Sequence, residues 1–261
     1  MVQDSKLRFR IFKNNLLYWV VCILSGLTAI PLLAILGEVL IKGWEQLGWS
    51  FLTEATPNAY KAMMAMQAGE TIPGGIANGI VGTFLMLFLA AIVAIPVGIF
   101  CGICLSEYKG NWFATLVSYL TDLLQGTPSI IIGIITYIWV VVPMKGYSAF
   151  AGSVALFIMM LPLIIRSTEE TMKILPDTLK EAGLALGGSY WRVMLQVMLP
   201  SAFGSIFTGI LLAISRVVGE TAPLMFTALG GAAISWNMGK PMSAVPLLIW
   251  EFFNDPNLQS L

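Results

Sequence analysis

Residues 167–200 read STEETMKILPDTLKEAGLALGGSYWRVMLQVMLP, an island of charge between two apolar flanks at 146–165 and 193–215. Each flank is long enough to cross a bilayer core of ~30 Å as a helix of about 20 residues. Within the island Pro176 breaks a helix, Asp177 or Thr178 can cap the next, and Gly187-Gly188 ends it. The loop 167–198 therefore predicts a short helix, a glycine turn, and a second short helix leading to Leu199-Pro200. Two short helices folded over each other make a knob that a partner can grip.

Further charge-free windows lie outward from this loop, at 14–37, 71–106 and 123–144. With the two flanks they predict five crossings, the last continuing past Arg216 and Glu220 towards Ala228. Barrel-type alternation is absent, so the spans are helices. The composition agrees: of 261 residues 57% are hydrophobic and 11% charged, where a soluble domain carries about 25% charged residues. The chain has no histidine and three cysteines, which removes His-based triads, His-ligated metals and a disulfide framework. Lys+Arg and Asp+Glu both number 14, so no basic excess points to nucleic acid. A signal peptide does not fit the N-terminus, because its apolar stretch runs on through Ile41 and reads as a retained helix.

Orientation follows from the positive charges. With the N-terminus inside, the cytoplasmic face collects Lys6, Arg8, Arg10, Lys13, Lys109, Arg166, Lys173, Lys180 and Arg192, against Lys42, Lys61, Lys145 and Lys240 outside. The organisation expected is an N-terminus with a peripheral first helix (1–45), an outer loop (46–70), a core (71–230), and an outer or re-entrant segment (231–261). In that last part, 241–253 is apolar but short and broken by proline. A sixth helix beyond Leu261 would complete the pattern.

The charged island then meets a known pattern. Glu181-Ala182-Gly183, three residues, Gly187, nine residues, Val197, one residue, Leu199-Pro200 resembles the EAA loop of ABC importer permeases, EAA-x3-G-x9-I-x-LP. It departs from that form at Gly183 and Val197. The resemblance implies an all-α polytopic membrane protein with the type I ABC importer permease fold and five to six transmembrane helices. It also implies that Glu181, Ala182, Gly183, Gly187, Leu199 and Pro200 couple to a cytoplasmic ATPase. No lysine here is followed by Ser or Thr, so the phosphate-binding GxxxxGK[ST] loop is missing and the ATPase is a separate subunit.

Other stretches narrow the likeness: Gly74-Gly75-Ile76-Ala77-Asn78, Leu105-Ser106-Glu107-Tyr108, Gly126-Thr127-Pro128-Ser129-Ile130, the 161–170 run through Arg166, and Arg216-Val217-Val218-Gly219-Glu220-Thr221-Ala222-Pro223. Together they resemble the permease subunits of phosphate-specific ABC importers, the PstA type ahead of its sister PstC type. That implies a bacterial inner-membrane protein without a cofactor or metal of its own. It also implies a second permease subunit, two ATPase subunits holding ATP and Mg, and an extracytoplasmic phosphate-binding protein. The chain is then no enzyme by itself. A permease for sulfate or molybdate is the alternative substrate reading, and an ATP-independent secondary transporter the alternative class. The latter has no use for an EAA loop.

Candidate pathway residues follow from ionisable groups at membrane depth, which face a bundle interior or a water path. Arg216 and Glu220, at i and i+4 with Thr221 beside them, can pair on one helix face. Arg216 then offers a positive site to the anion that Glu220 neutralises between cycles, or the two form a structural ion pair. Asp122 either lines the pathway or anchors a helix break. Thr127 and Ser129 flank that break, where freed backbone groups must line a cavity or face protein. Arg166 either guides the departing anion or snorkels to headgroups. Cys101 and Cys104 read as thiols in an apolar span, and the Met63–Met66 cluster as part of an amphipathic helix. Trp19, Trp44, Trp49, Trp112 and Trp139 suit an aromatic belt.

Overall fold

The computed structural model describes residues 2–44, 47–57, 59–68, 74–108 and 110–254. Thr71, Lys109 and the 255–261 terminus, all part of the sequence expectations, lie outside the described residues, as do the side chains of Lys6, Lys61 and Met66. The chain divides into two compact units, Met1–Trp49 and Ser50–Leu261. The first is a single helix, α1 (Val2–Gly43), whose apolar part Leu7–Gly43 is long enough to span a membrane and buries nothing of its apolar window. A helix apolar on every side suits lipid. Pro31 inside it is tolerated at membrane depth because local adjustments re-satisfy the freed carbonyl.

The second unit opens with two short helices, α2 (Trp49–Thr53) and α3 (Ala59–Ala68), the latter carrying the methionine cluster. Next comes α4 (Ala77–Glu107). Asn78, almost wholly buried near its start, accepts from the Thr56 amide and donates to the Thr56 hydroxyl and the Gly231 carbonyl. Gly75, just ahead, lies against the Phe51 carbonyl, where a Cβ would come within 2.2 Å of the oxygen.

The window 123–144 is not one straight span. It belongs to α5 (Trp112–Gly126) and α6 (Ser129–Met144), which meet at an angle of 107°. The break falls at Thr127-Pro128, as expected, but α5 begins eleven residues earlier than predicted, because Asn111 caps it by accepting from the Phe113 amide. At 1.5 Å per residue neither arm alone crosses a ~30 Å core.

The fourth crossing is α7 (Ala149–Ile174), not 146–165. Ser148 caps its start, accepting from the Ala151 amide. Its far end extends because Arg166, Glu169 and Lys173 pair at i, i+3 and i+4 spacing, and it stops two residues short of Pro176. The coupling loop is thus narrower than 167–198. It holds α8 (Asp177–Ala185), entered from Pro176, with Asp177 in the first turn rather than as the cap. The expected second short helix is absent. Helix α9 runs unbroken over Tyr190–Val218 and absorbs Pro200 through a π turn at Met194–Met198, where the Leu199 amide bonds the Met194 carbonyl. The same device, over Tyr137–Val141, precedes Pro143 in α6.

α9 ends at Val218 with Gly219 as its cap, so the fifth crossing does not run on to Ala228. A four-residue turn, α10 (Ala222–Met225), follows, and the chain finishes in α11 (Val245–Phe253). The stretch before α11 is more deeply held than a surface re-entrant loop: Met242, Ser243 and Ala244 are buried. A Cβ at Gly82 would come within 1.9 Å of the Ser243 carbonyl, and the Val245 amide donates to Thr83. α4 and α7 form the centre of the unit. Met86, Ala90 and Ala94 meet Leu156, Met160 and Ile164, with Ala213, Val217 and Leu224 closing the core. A Cβ at Gly98 would lie 2.7 Å from Ile164, and one at Gly102 would lie 2.6 Å from Thr168, the close approach that small residues permit between membrane helices.

Candidate functional site

The exposed end of the fold is α8 and the turn behind it. Leu186 caps α8 and Gly187 takes φ +81°. The Gly188 amide bonds the Gly183 carbonyl and the Gly187 amide bonds the Leu184 carbonyl, which closes the helix by a Schellman turn. Glu181, Ala182, Leu184, Ala185 and Gly187 are exposed, and Leu186 is 90% exposed. Leu179, Lys180 and Gly183 face inward. A Cβ at Gly183 would lie 2.7 Å from Val193, so this departure from the EAA form lets α8 fold closely onto the start of α9. Of the expected coupling residues, Glu181, Ala182, Gly183 and Gly187 come together on this knob. Leu199 and Pro200 sit apart, inside α9.

The second feature is an ionic cavity of about 530 Å³ between α5, α7 and α9, walled in part by Gln125, Ser167, Gly209 and Leu212. Arg166 is fixed in it: Nε donates to Asp122 Oδ1 (2.9 Å), Nη1 to Glu169 Oε2 (2.6 Å), and Nη2 to the Ser118 carbonyl (3.0 Å). Lys173 donates to the other Glu169 oxygen. Ser167 fits because residue 209 is glycine, where a Cβ would collide with its hydroxyl. Sequence treated Asp122 and Arg166 separately, and the structure joins them. Arg166 is bound inward instead of snorkelling, and Asp122 pairs with it instead of anchoring the break. Glu170 also lines the cavity, so two cations meet three carboxylates, and an incoming anion has to compete with those carboxylates for Arg166.

Arg216 and Glu220 do not pair. No ion pair joins them among the described residues, because Gly219 ends α9 between them and Glu220 falls beyond the helix. Arg216 is exposed in the last turn of α9, where a cation suits the helix dipole. Gly209, Leu212 and Arg216 share one face at i, i+3 and i+7. Arg216 therefore continues the stripe that walls the Arg166 cavity. Thr221 lies half-buried at the start of α10. Thr127 caps α5 and spends its hydroxyl on the Leu123 carbonyl (2.6 Å), while Ser129 begins α6. The helices that follow the two breaks touch: a Cβ at Gly133 in α6 would lie 2.7 Å from Pro223 in α10.

Sequence reading missed Glu169 and Lys173, although their spacing from Arg166 was a visible signal. It also missed the group formed by Glu107, Lys180 and Tyr190, whose members are too far apart in the chain for spacing to reveal.

Residues 94–250 match the family described as the binding-protein-dependent transport system inner membrane component. The phosphate transport system permease protein PstA of Yersinia pestis is 37% identical over 226 residues, covering 86% of this chain and 73% of that protein. PstA of Haemophilus influenzae is 34% identical over 85% of this chain and 75% of its own length. PstA of Pasteurella multocida is 36% identical over 85% and 76%. Among solved structures, the inward-facing MetNI methionine ABC transporter superposes with a TM-score of 0.56 at 20% identity, over 70% of this chain and 83% of that one. At that identity the likeness concerns the fold.

Proposed function

The chain belongs to the PstA family of binding-protein-dependent phosphate permeases, and from that membership we propose how its parts divide the work. It is the permease subunit of an ATP-driven phosphate importer in the inner membrane, and nothing in its relatives favours another oxyanion. The working unit is this chain, a PstC-type permease, two PstB-type ATPase subunits that bind ATP and Mg, and an extracytoplasmic phosphate-binding protein. The N-terminus and α8 face the cytoplasm.

The observation that carries the coupling role is the α8 knob, bound on one face and bare on the other. Glu181 and Leu186 enter a groove of the ATPase. Closure of the ATPase pair on ATP pushes the knob, and α9, which follows it across the Gly187-Gly188 turn, tilts. The pathway runs along the α9 stripe from Arg216 to the Arg166 cavity. Arg216 stands exposed on a single chain, which supports a pathway completed by the second permease. An always-ionised guanidinium forks onto phosphate oxygens. At the inner end Asp122 and Glu169 compensate Arg166, so the anion is released instead of retained.

ATP-dependent phosphate uptake by the reconstituted complex tests this. Glu181→Lys should abolish uptake while ATP hydrolysis persists, and Arg216→Gln should abolish uptake with assembly intact. Full uptake by Arg216→Gln would remove it from the pathway. Uptake without ATP, or competition by sulfate, would overturn the energy source or the substrate.

A further inference from the structure

Glu107 is the last residue of α4, and no basic residue occupies that final turn. A carboxylate there opposes the negative end of the helix dipole. Its partners come from the coupling loop. Lys180 of α8 and the hydroxyl of Tyr190, the first residue of α9, both donate to Glu107 Oε2. The Lys180 ammonium also lies 5.0 Å from the centre of the Tyr190 ring. The side chains of Lys180 and Glu107 are 23% and 16% exposed, so water screens them less than a surface pair. The Tyr190 hydroxyl is the donor in its bond to the carboxylate.

Among the described residues the knob has no other ion pair or side-chain hydrogen bond to the rest of the fold. α8 has no buried residue; apart from this group it rests on apolar contacts, Gly183 against Val193 and half-buried Leu179 on the cluster that holds Ile103 and Met172. Apolar contacts are non-directional, so without a directional tie a push on Glu181 would be absorbed by α8 sliding over them or swivelling at Gly187-Gly188. We infer that Glu107, Lys180 and Tyr190 form a clamp that makes α4 follow α8, so that ATPase motion enters the membrane domain through two helices. α4 has no slack against α7 at Gly98 and Gly102, and its outer part carries the Ser243 segment at Gly82. A displacement at Glu107 therefore moves α4, α7 with Arg166, and the outer closing segment together.

The clamp rests on the coupling role of α8, so its test includes a control for that role. In proteoliposomes holding the complete importer and its binding protein, the readout is phosphate taken up per ATP hydrolysed. Glu107→Gln and Lys180→Met should hydrolyse ATP while that ratio drops at least about fivefold. The exchanged pair Glu107→Lys with Lys180→Glu should return it to within about twofold of the native value. Rescue by the exchange also answers for a single variant that fails to assemble. A native ratio in Glu107→Gln, or an exchanged pair no better than the singles, overturns the clamp. Should Glu181→Lys keep the native ratio, the coupling role itself fails; should it uncouple while Glu107→Gln does not, only the clamp fails.

Discussion

Among the described residues Glu169 is the most deeply set charge, its side chain 5% exposed between Arg166 and Lys173, whereas Asp122 on the other flank of Arg166 is 57% exposed. A hydrogen bond to a charged group is worth about 1.5–3 kcal/mol where water cannot replace it, and an exposed ion pair about 0–1 kcal/mol. Glu169→Gln should therefore lower the stability of the purified chain by about 1–3 kcal/mol, and Asp122→Asn by under about 1 kcal/mol. Thermal melting in detergent checks the order, and a larger loss for Asp122→Asn would defeat the burial argument. Glu169 was within reach of sequence, since i, i+3 and i+7 spacing places it beside Arg166 and Lys173. The Asp122 contact was not, because 44 residues separate it from Arg166. The pairing expected of Arg216 with Glu220 failed on a signal that was present. Gly219 stands between them and Pro223 follows, which is how helices end.

The coupling helix was the most legible element, since Pro176 starts it and a glycine in the left-handed region stops it. That stop can be tested. A β-branched residue at Gly187 has to adopt φ +81° at a cost of about 1–2 kcal/mol, and the Schellman closure is what the cost disrupts. Gly187→Val should speed hydrogen exchange of the Leu186, Gly187 and Gly188 amides by about tenfold, leaving amides within α4 and α7 unchanged. Unchanged exchange at Gly188 would mean the turn is held by contacts other than its own backbone. Helix α9 was less legible because proline has two outcomes in a membrane helix. Pro200 read as the end of a short helix, yet the π turn at Met194–Met198 carries the chain past it. A wider turn removes the need for the missing amide, and periodicity does not announce that choice. The break at Thr127-Pro128 was legible as a break. Its 107° angle was not, because α6 packs at Gly133 against Pro223 of α10, a partner far along the chain that spacing does not reveal.

The number of crossings is a property of the whole fold. Among the described residues four helices are long and apolar enough to span, and the bent pair α5–α6 either makes a fifth span or turns back. The packing decides between these. Gly98 meets Ile164 and Gly102 meets Thr168, so contacts advance four residues along α4 as they advance four along α7, and the two helices run parallel. Their ends agree. Glu107 at the end of α4 meets Lys180 just beyond α7. At the other end, the Gly231 carbonyl bonds Asn78 of α4, and the nearby Lys240 carbonyl bonds Ala149 of α7. Two parallel helices joined in sequence require the chain to return across the membrane between them, so α5–α6 crosses once and the unit does not re-enter there. On the orientation proposed above, α8 lies in the cytoplasm and Lys145 outside. With Cys22, Cys101 and Cys104 replaced, single cysteines at Gly110 and Leu186 should react with a membrane-impermeant maleimide only in inverted vesicles. One at Lys145 should react only in intact cells stripped of their outer membrane. Labelling at Lys145 from the same side as Leu186 would make the bent pair re-entrant and force α4 and α7 antiparallel, against the glycine contacts that join them.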